Sequence, residues 1–212
     1  MKTSIALKAL LGAGALTLPL MAFAESNVQT GAATAAPGAT AHVDFSIVIP
    51  KILYLRVGTG SSYTTGALTS ANTIDLITFS PAAGTVGNGT AVVGTGGDLT
   101  GGVETAAIVS NSGNVTLNAT ASGALSDGAG DTIPFTQITT AATTLTSGTQ
   151  LPAPVLTNGT SSNVVLTAPP TKLIVQDAKW TYSYANAANV PAGTYGGVNV
   201  NNSRVTYTAT MP

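Results

Sequence analysis

Short alternations of apolar and polar residues recur along this chain, and after residue 24 no segment shows a sustained 3.6-residue period. The clearest alternation runs from Val115 to Ala121, where Val, Leu and Ala alternate with Thr and Asn. A period of two is typical of strands with one face in the core. Gly, Asn, Pro and Ser separate eight or nine such segments, which predicts an all-β sandwich or barrel. Uneven strand lengths and long loops favour an antiparallel β-sandwich.

The longest predicted strand runs from Lys172 to Tyr184 and puts Trp180, Tyr182 and Tyr184 on one face. Residues 58–66, 84–102 and 139–162 are rich in Gly, Thr or Pro, and we expect mainly loops there. The other predicted strands span residues 43–49, 51–57, 72–79, 90–93, 103–109, 115–121, 164–166 and 204–211.

The first 24 residues have the form of a secretory signal peptide. Two lysines precede and interrupt an apolar run that ends at Leu20, and Ala22-Phe23-Ala24 predicts cleavage between Ala24 and Glu25. The apolar run is too short for a stable transmembrane helix. We therefore expect an exported protein, in the periplasm during transit and then at the cell surface or outside the cell, without stable membrane insertion.

Two further regions follow the predicted cleavage site. Residues 25–41 are small and polar, and we expect a flexible N-terminal arm. The β-sandwich domain is predicted from 42 to 212. Its first strand would carry Val43, Phe45, Ile47 and Ile49 on one face, and Pro50 would break this strand because proline lacks a backbone donor.

Composition argues against several classes of function. Beyond residue 24 the chain has five basic residues against eight acidic ones, and they are dispersed. Without a basic patch, we expect no binding to nucleic acid or to an anionic membrane surface. Cysteine is absent, which rules out disulfides, thiol catalysis and thiolate metal sites. Because 44% of residues are apolar, the bulk of the chain is not expected to be disordered.

Candidate catalytic and metal-binding residues are few. His42 is the only histidine and no Gly-x-Ser-x-Gly motif occurs, so a Ser-His-Asp triad is not predicted. No spacing pairs Glu104 with an Asp as a glycosidase would require. Asp127 and Asp131 bracket a Gly-rich turn, which favours a turn-forming role over the alternative of a calcium site. We predict no enzyme activity, no metal site and no cofactor.

Trp180 and Tyr195 are predicted to have structural roles. Trp180 shares its strand face with two tyrosines, which favours a core position over an exposed sugar-binding platform. Tyr195 follows Pro191 to Thr194, and its hydroxyl is expected to bond back to the backbone of that corner.

The C-terminal third resembles bacterial immunoglobulin-like pilin and fimbrial-type surface subunits. The resemblance rests on the Trp180 strand, on Pro191 to Tyr195, on the alternating strand Val205 to Thr210, and on the turn Asn111-Ser112-Gly113. It implies an immunoglobulin-like topology and a subunit of a surface fibre or extracellular coat. In chaperone–usher pilins the domain lacks its last strand, and the N-terminal arm of a neighbouring subunit fills that groove. A periplasmic chaperone is then an implied partner.

The chain departs from that pattern in its arm and in its cysteines. Residues 25–41 offer only Val28 among small residues, and the disulfide of many such pilins is absent. The better donor is the alternating stretch from Val43 to Ile49, with the domain's own first strand as the alternative role.

We therefore predict a non-enzymatic structural protein that associates with itself through sheet edges, where another chain can add. The alternative is a secreted adhesin or carbohydrate-binding module that uses its long loops or its aromatic residues. The residues predicted at the assembly edges are Val43, Phe45, Ile47 and Ile49 in the first strand and Val205, Tyr207, Ala209 and Met211 in the last.

Overall fold

The computed structural model describes residues 26–33, 38–60, 62–63, 68–146 and 148–212. The predicted signal peptide, with its cleavage site between Ala24 and Glu25, lies outside these ranges. The chain divides between Ile49 and Pro50, and the unit from Pro50 to Pro212 contains every strand of the described residues. Sequence analysis predicted that the domain begins at residue 42.

The described residues are almost entirely β structure with antiparallel pairing, and their only helices are two single 3₁₀ turns, at Ala83–Thr85 and Phe135–Gln137. The strands are β1 (Leu53–Val57), β2 (Ile77–Thr78), β3 (Val92–Val93), β4 (Thr95–Gly96), β5 (Val103–Ser110), β6 (Val115–Ala121), β7 (Leu125–Ser126), β8 (Thr132–Ile133), β9 (Ile138–Thr143), β10 (Val164–Leu166), β11 (Ile174–Tyr184) and β12 (Val205–Thr210).

Two sheets form the body of this unit. In the first, β11 pairs with β5 along one edge and with β9 along the other, and β5 pairs in turn with β1. The short strand β3 continues the β5 edge of β11 opposite Ser183 and Tyr184. In the second sheet β6 lies between β10 and β12. Two small two-stranded sheets, β2 with β4 and β7 with β8, complete the strand pairing.

The inner faces of the two sheets share one hydrophobic core. Alternation along β6 puts Val115, Leu117, Ala119 and Ala121 in that core, as predicted from the sequence. Trp180 of β11 is 0% exposed, and its indole Nε1 donates a hydrogen bond of 2.9 Å to the Leu151 carbonyl oxygen. The largest side chain of the protein is thus buried with its polar atom satisfied.

The strand predicted from Val43 to Ile49 is not a strand in the structure. In β1 the first residue, Leu53, lies opposite Ser110, the last residue of β5. Beyond that pair, the side chain of Asn111 forms hydrogen bonds with the chain before β1. It accepts from Ile52 N (2.8 Å) and donates to Pro50 O (2.9 Å). The backbone N of Asn111 also donates to Ile52 O at 3.3 Å, and the strands of the described residues begin with Leu53.

Candidate functional site

The domain closes its core on one side with its own chain. There the segment 150–161 crosses from the first sheet to the second: Leu151 N donates to Asp177 O of β11 at 3.0 Å, and Ser161 N donates to Ala119 O of β6 at 2.8 Å. Leu151 and Leu156 of this segment are buried. The segment seals the side of the core that β9 and β10 border.

The opposite side of the core is bordered by β1 and β12 and is less completely covered. These strands lie at the ends of their sheets, and in the described part of the chain β6 is the one strand that pairs with β12. A cavity of about 450 Å³ lies here. We call it the β12 groove, and its apolar lining consists of Leu55, Val57, Ile74, Ile77, Val205 and Tyr207, with Tyr182 at the base.

The inward side chains of β12, and Met211 just beyond it, are only partly buried, and of these Val205 and Tyr207 line the groove. Every second residue of β12 faces inward, yet Val205, Tyr207, Ala209 and Met211 all remain half-buried. In contrast, the inward residues of β6 are buried. The inward face of β12 is therefore less completely covered than that of β6.

The two bordering strands run in opposite directions. Lys51, before β1, donates from Nζ to the Pro212 carbonyl oxygen beyond the end of β12, at 2.9 Å. At the other end Val57 of β1 and Val205 of β12 line the same cavity. A strand added antiparallel to β12 would thus run parallel to β1.

A pair of carboxyl groups occupies the Val205 end of the groove. Glu104 extends from β5 and Asp75 precedes β2, and both line the cavity. Glu104 is 4% exposed, and burial together with the charge of Asp75 raises the pKa of its carboxyl to about 8. Asp75 accepts hydrogen bonds from the Thr59 backbone N (2.5 Å) and hydroxyl (2.9 Å), which fix its position.

Gly58 allows this carboxyl pair to approach the backbone. Its φ is +83°, and a Cβ atom at this position would lie within 2.5 Å of oxygens of both Asp75 and Glu104. Glycine is needed here for its backbone conformation and for space. Next to the pair, Asp98 binds Arg56 in an ion pair of 2.9 Å and accepts from Thr105 N at 2.7 Å.

Two tyrosines form the floor of the groove beside Glu104. The hydroxyls of Tyr182 and Tyr207 are 2.9 Å apart and hydrogen-bonded. Burial raises the pKa of Tyr207 to about 12 and also raises the pKa of Tyr182. Both hydroxyls therefore stay protonated at neutral pH.

The predicted donor residues are exposed. The exposed fractions of Val43, Phe45, Ile47 and Ile49 are 73%, 89%, 86% and 75%. Residues 38–49 contain no helix, turn or bend, so this stretch is locally straight. These four large apolar side chains are therefore exposed to solvent at alternate positions of the segment.

The remaining predicted residues take structural or exposed positions. The Tyr195 hydroxyl donates to Pro191 O at 2.9 Å, which pins the corner as the sequence predicts. His42 is exposed. Asp127 Oδ1 accepts from the backbone N of Ala129, Gly130 and Asp131, and these hydrogen bonds, the one from Ala129 most strongly, lower the pKa of Asp127.

Sequence analysis missed the pairing of Glu104 with Asp75. A signal was present, because Glu104 is in phase with Ala106 and Ile108 on the apolar face of its strand. An acidic residue at such a position is unusual. Its proximity to Asp75 depends on how the chain after β1 folds back, which no local pattern specifies.

Comparison of this chain with protein-family models, with curated proteins and with solved structures gave no match. Among the described residues, no three His, Asp or Glu side chains converge in a way that could hold a metal ion. The same residues include no helix long and apolar enough to cross a membrane. Function is therefore inferred from the groove and from the segment Val43 to Ile49.

Proposed function

We propose that this protein is a non-enzymatic subunit of an exported surface fibre, and that copies assemble by β-strand addition. One copy donates its segment Val43 to Ile49, which we call the donor segment, to the β12 groove of the next copy. The observation that carries the proposal is the match between them. The donor segment has four exposed apolar side chains at alternate positions, and β12 has half-buried apolar side chains at alternate positions, of which Val205 and Tyr207 line the groove.

The sheet arrangement supports an immunoglobulin-like sandwich that lacks one edge strand. Two antiparallel sheets share a core, one side is closed by residues 150–161, and the other is left to β1 and β12. A strand along β12 would complete the second sheet through main-chain hydrogen bonds, while alternate side chains fill the groove. The first and last strands of the domain thus border the binding site.

The apolar contribution to binding is substantial. Full burial of a Val, Ile or Phe side chain is worth roughly 1.5–3 kcal/mol, so four of them contribute roughly 6–12 kcal/mol before the costs of association. Main-chain pairing with β12 adds directionality. The residues between them, Asp44, Ser46 and Val48, would face away from the core.

Export follows from the signal peptide that the sequence predicts, and cleavage before Glu25 leaves the donor segment close to the new N-terminus. A subunit with an open apolar groove needs cover during transit, which supports a periplasmic chaperone as a transient partner. N-terminal sequencing of the exported protein tests the cleavage site. Recovery of an uncleaved, cytoplasmic chain would contradict export.

A sugar-binding role has less support. It would use exposed aromatic side chains, and Trp180, Tyr182 and Tyr184 are all buried. The adhesin alternative would then depend on its loops and on Tyr195, which is half-buried.

Assembly can be tested with substitutions on the two faces of the donor segment. Ile47→Asp puts a charge on the face that enters the groove, whereas Val48→Asp puts the same charge on the opposite face of the neighbouring residue. Both side chains are exposed, with fractions of 86% and 89%, so neither change is expected to unfold the domain. We expect Ile47→Asp to abolish fibres and Val48→Asp to preserve them, as seen by negative-stain microscopy and light scattering.

Two results would contradict the proposal. The first is a wild-type chain that stays monomeric at high concentration and does not bind an added peptide of residues 43–50. The second is equal loss or equal retention of fibres in both variants, because strand addition requires the two faces to differ.

A further inference from the structure

Glu104 is the one acidic side chain that the described part of β5 places toward the core. It lies opposite Trp180 in the register of β5 and β11, on the same face as Ala106 and Ile108. A buried carboxylate is costly unless it is paired. The buried acid of the neighbouring strand, Asp177, faces the outer side and accepts from the hydroxyls of Tyr63 and Thr146 and from Thr146 N.

The groups around Glu104 do not supply it with a strong counter-charge. Arg56 of β1 is bound to Asp98 at 2.9 Å, and the charges that act on the Glu104 carboxyl are those of Asp75 and Asp98, both acidic. The backbone N of Asp98 donates a long hydrogen bond of 3.5 Å to Glu104. The titratable and charged groups that face Glu104 are Asp75 before β2, Asp98 before β5, Tyr182 on β11, Tyr207 on β12, Arg204 beside β12, and Arg56 on β1.

Glu104 and Asp75 both line the cavity, which is the route by which water can reach their carboxyls. A donor segment in the groove would displace that water. In either strand direction the residue that reaches this end, Val43 or Ile49, is apolar and offers no charge to the carboxyls. Loss of hydration disfavours a charged carboxyl and leaves a protonated one, hydrogen-bonded to its neighbour, little affected.

We propose that the Glu104–Asp75 pair links strand capture to protonation: the groove binds a donor segment with Glu104 in its protonated form. When Glu104 is ionised in the open groove, binding therefore takes up one proton. This inference rests on the proposed function and adds a regulation to it. This regulation depends on one carboxyl, that of Glu104, which holds a proton. It lies at the end of the groove, where the neighbouring subunit must cover it.

The sign of the pH dependence follows from the two states. In the open groove the pKa of Glu104 is about 8, and in the filled groove we expect it to be higher. Affinity should therefore be constant well below pH 8 and should fall as pH rises through this value, by up to tenfold for each pH unit. Low pH favours assembly, and alkaline pH favours release.

The test is a titration of the full chain with a capped peptide of residues 43–50. The chain carries Phe45→Asp and Ile47→Asp so that it cannot donate its own segment. The peptide omits the two flanking side chains His42 and Lys51 and contains one acid, Asp44. Wild-type Glu104 should give the same Kd at pH 6 and 7 and about a tenfold weaker Kd at pH 9.5.

Glu104→Gln should remove this dependence and keep the tight Kd at every pH. Asp127→Asn, in an exposed turn whose residues do not line the groove, is the matched control and should keep the wild-type profile. As a second measurement, the carboxyl carbon of Glu104 in the labelled chain should titrate near pH 8 alone and at higher pH with peptide, as followed by NMR.

The outcomes separate the two proposals. Binding with a flat pH profile, or a slope that survives Glu104→Gln, would overturn the proton linkage and leave strand addition standing. Failure to bind the peptide at any pH would overturn strand addition itself.

Discussion

The rings of Trp180 and Tyr207 pack across the two sheets with their centroids 5.3 Å apart and their planes tilted by 49°. Trp180 belongs to β11 in the first sheet and Tyr207 to β12 in the second. The Tyr207 hydroxyl also bonds to that of Tyr182, so the last strand is fastened to the opposite sheet by two aromatic contacts. These contacts hold β12 in place although it has no strand on its outer edge among the described residues.

Loss of the indole should destabilise the domain strongly. We expect Trp180→Ala to lower the free energy of unfolding by about 3–5 kcal/mol, since it leaves a cavity and an unsatisfied Leu151 carbonyl. Val175→Ala on the exposed face of the same strand is the control and should change it by less than about 0.5 kcal/mol. Urea denaturation measures both, and equal effects would place Trp180 outside the core.

The tyrosine pair should show coupling in a double-mutant cycle. Tyr182→Phe or Tyr207→Phe leaves one buried hydroxyl without its partner, whereas the double substitution removes both hydroxyls. We expect a coupling energy of about 0.5–1.5 kcal/mol from chemical denaturation. Additive single effects would mean that the two hydroxyls do not interact.

Substitution of Gly58 by alanine should be more destabilising than the same substitution at another glycine with a similar backbone conformation. Gly89 has a φ of +77° and open space around its Cβ position, whereas Gly58 has a φ of +83° and meets two carboxyls. Gly89→Ala should cost about 1–2 kcal/mol from backbone strain alone. Gly58→Ala should cost at least about 1 kcal/mol more, because Asp75 and Glu104 must move.

Thermal denaturation of the two alanine variants at equal concentration provides this comparison. Equal melting temperatures would mean that the carboxyl pair does not press against Gly58.

Glu104 should also make stability depend on pH. Its pKa is about 8 in the folded domain against a usual value of 4.5, so between these values the folded state holds a proton that the unfolded state lacks. The free energy of unfolding should fall as pH rises from about 4.5 to about 8 and should then level off. Asp127, whose pKa is lowered, changes stability at more acidic pH. Its contribution can therefore be separated from that of Glu104 by the pH range in which it acts.

Glu104→Gln isolates this contribution. We expect the variant to be more stable than wild type at pH 8, by up to roughly 4 kcal/mol, and about equally stable at pH 4.5. Urea denaturation at both pH values measures the difference. A gain of the same size at both pH values would assign the effect to packing and not to the proton.

Most long strands could be predicted from the sequence because their alternation is clear. β6 and β10 match the predicted limits, and β5 and β11 differ from them by one or two residues. Here Val, Ile and aromatic residues alternate with Thr, Lys and Ser, so burial and β propensity agree.

Other elements could not be predicted because their sequences are small and polar. β9 consists of Ile, Thr and Ala in a region that we expected to be irregular, and it forms because β11 offers an edge opposite Thr140. The donor segment shows the reverse case, since its alternation is strong but it forms no strand. Local pattern indicates that a segment can pair, and not which partner it pairs with.

Residues 150–161 seal one side of the core, and they have no counterpart along β12. In the proposed fibre, the stability of each domain therefore depends on its neighbour. In the proposed fibre, a solitary copy would leave its β12 groove uncovered until a neighbour fills it. Thermal resistance should then rise with protein concentration, and each subunit in a fibre should be sturdier than the same polypeptide alone. The copy at the growing tip, whose groove is still vacant, is the place where such a fibre would begin to come apart.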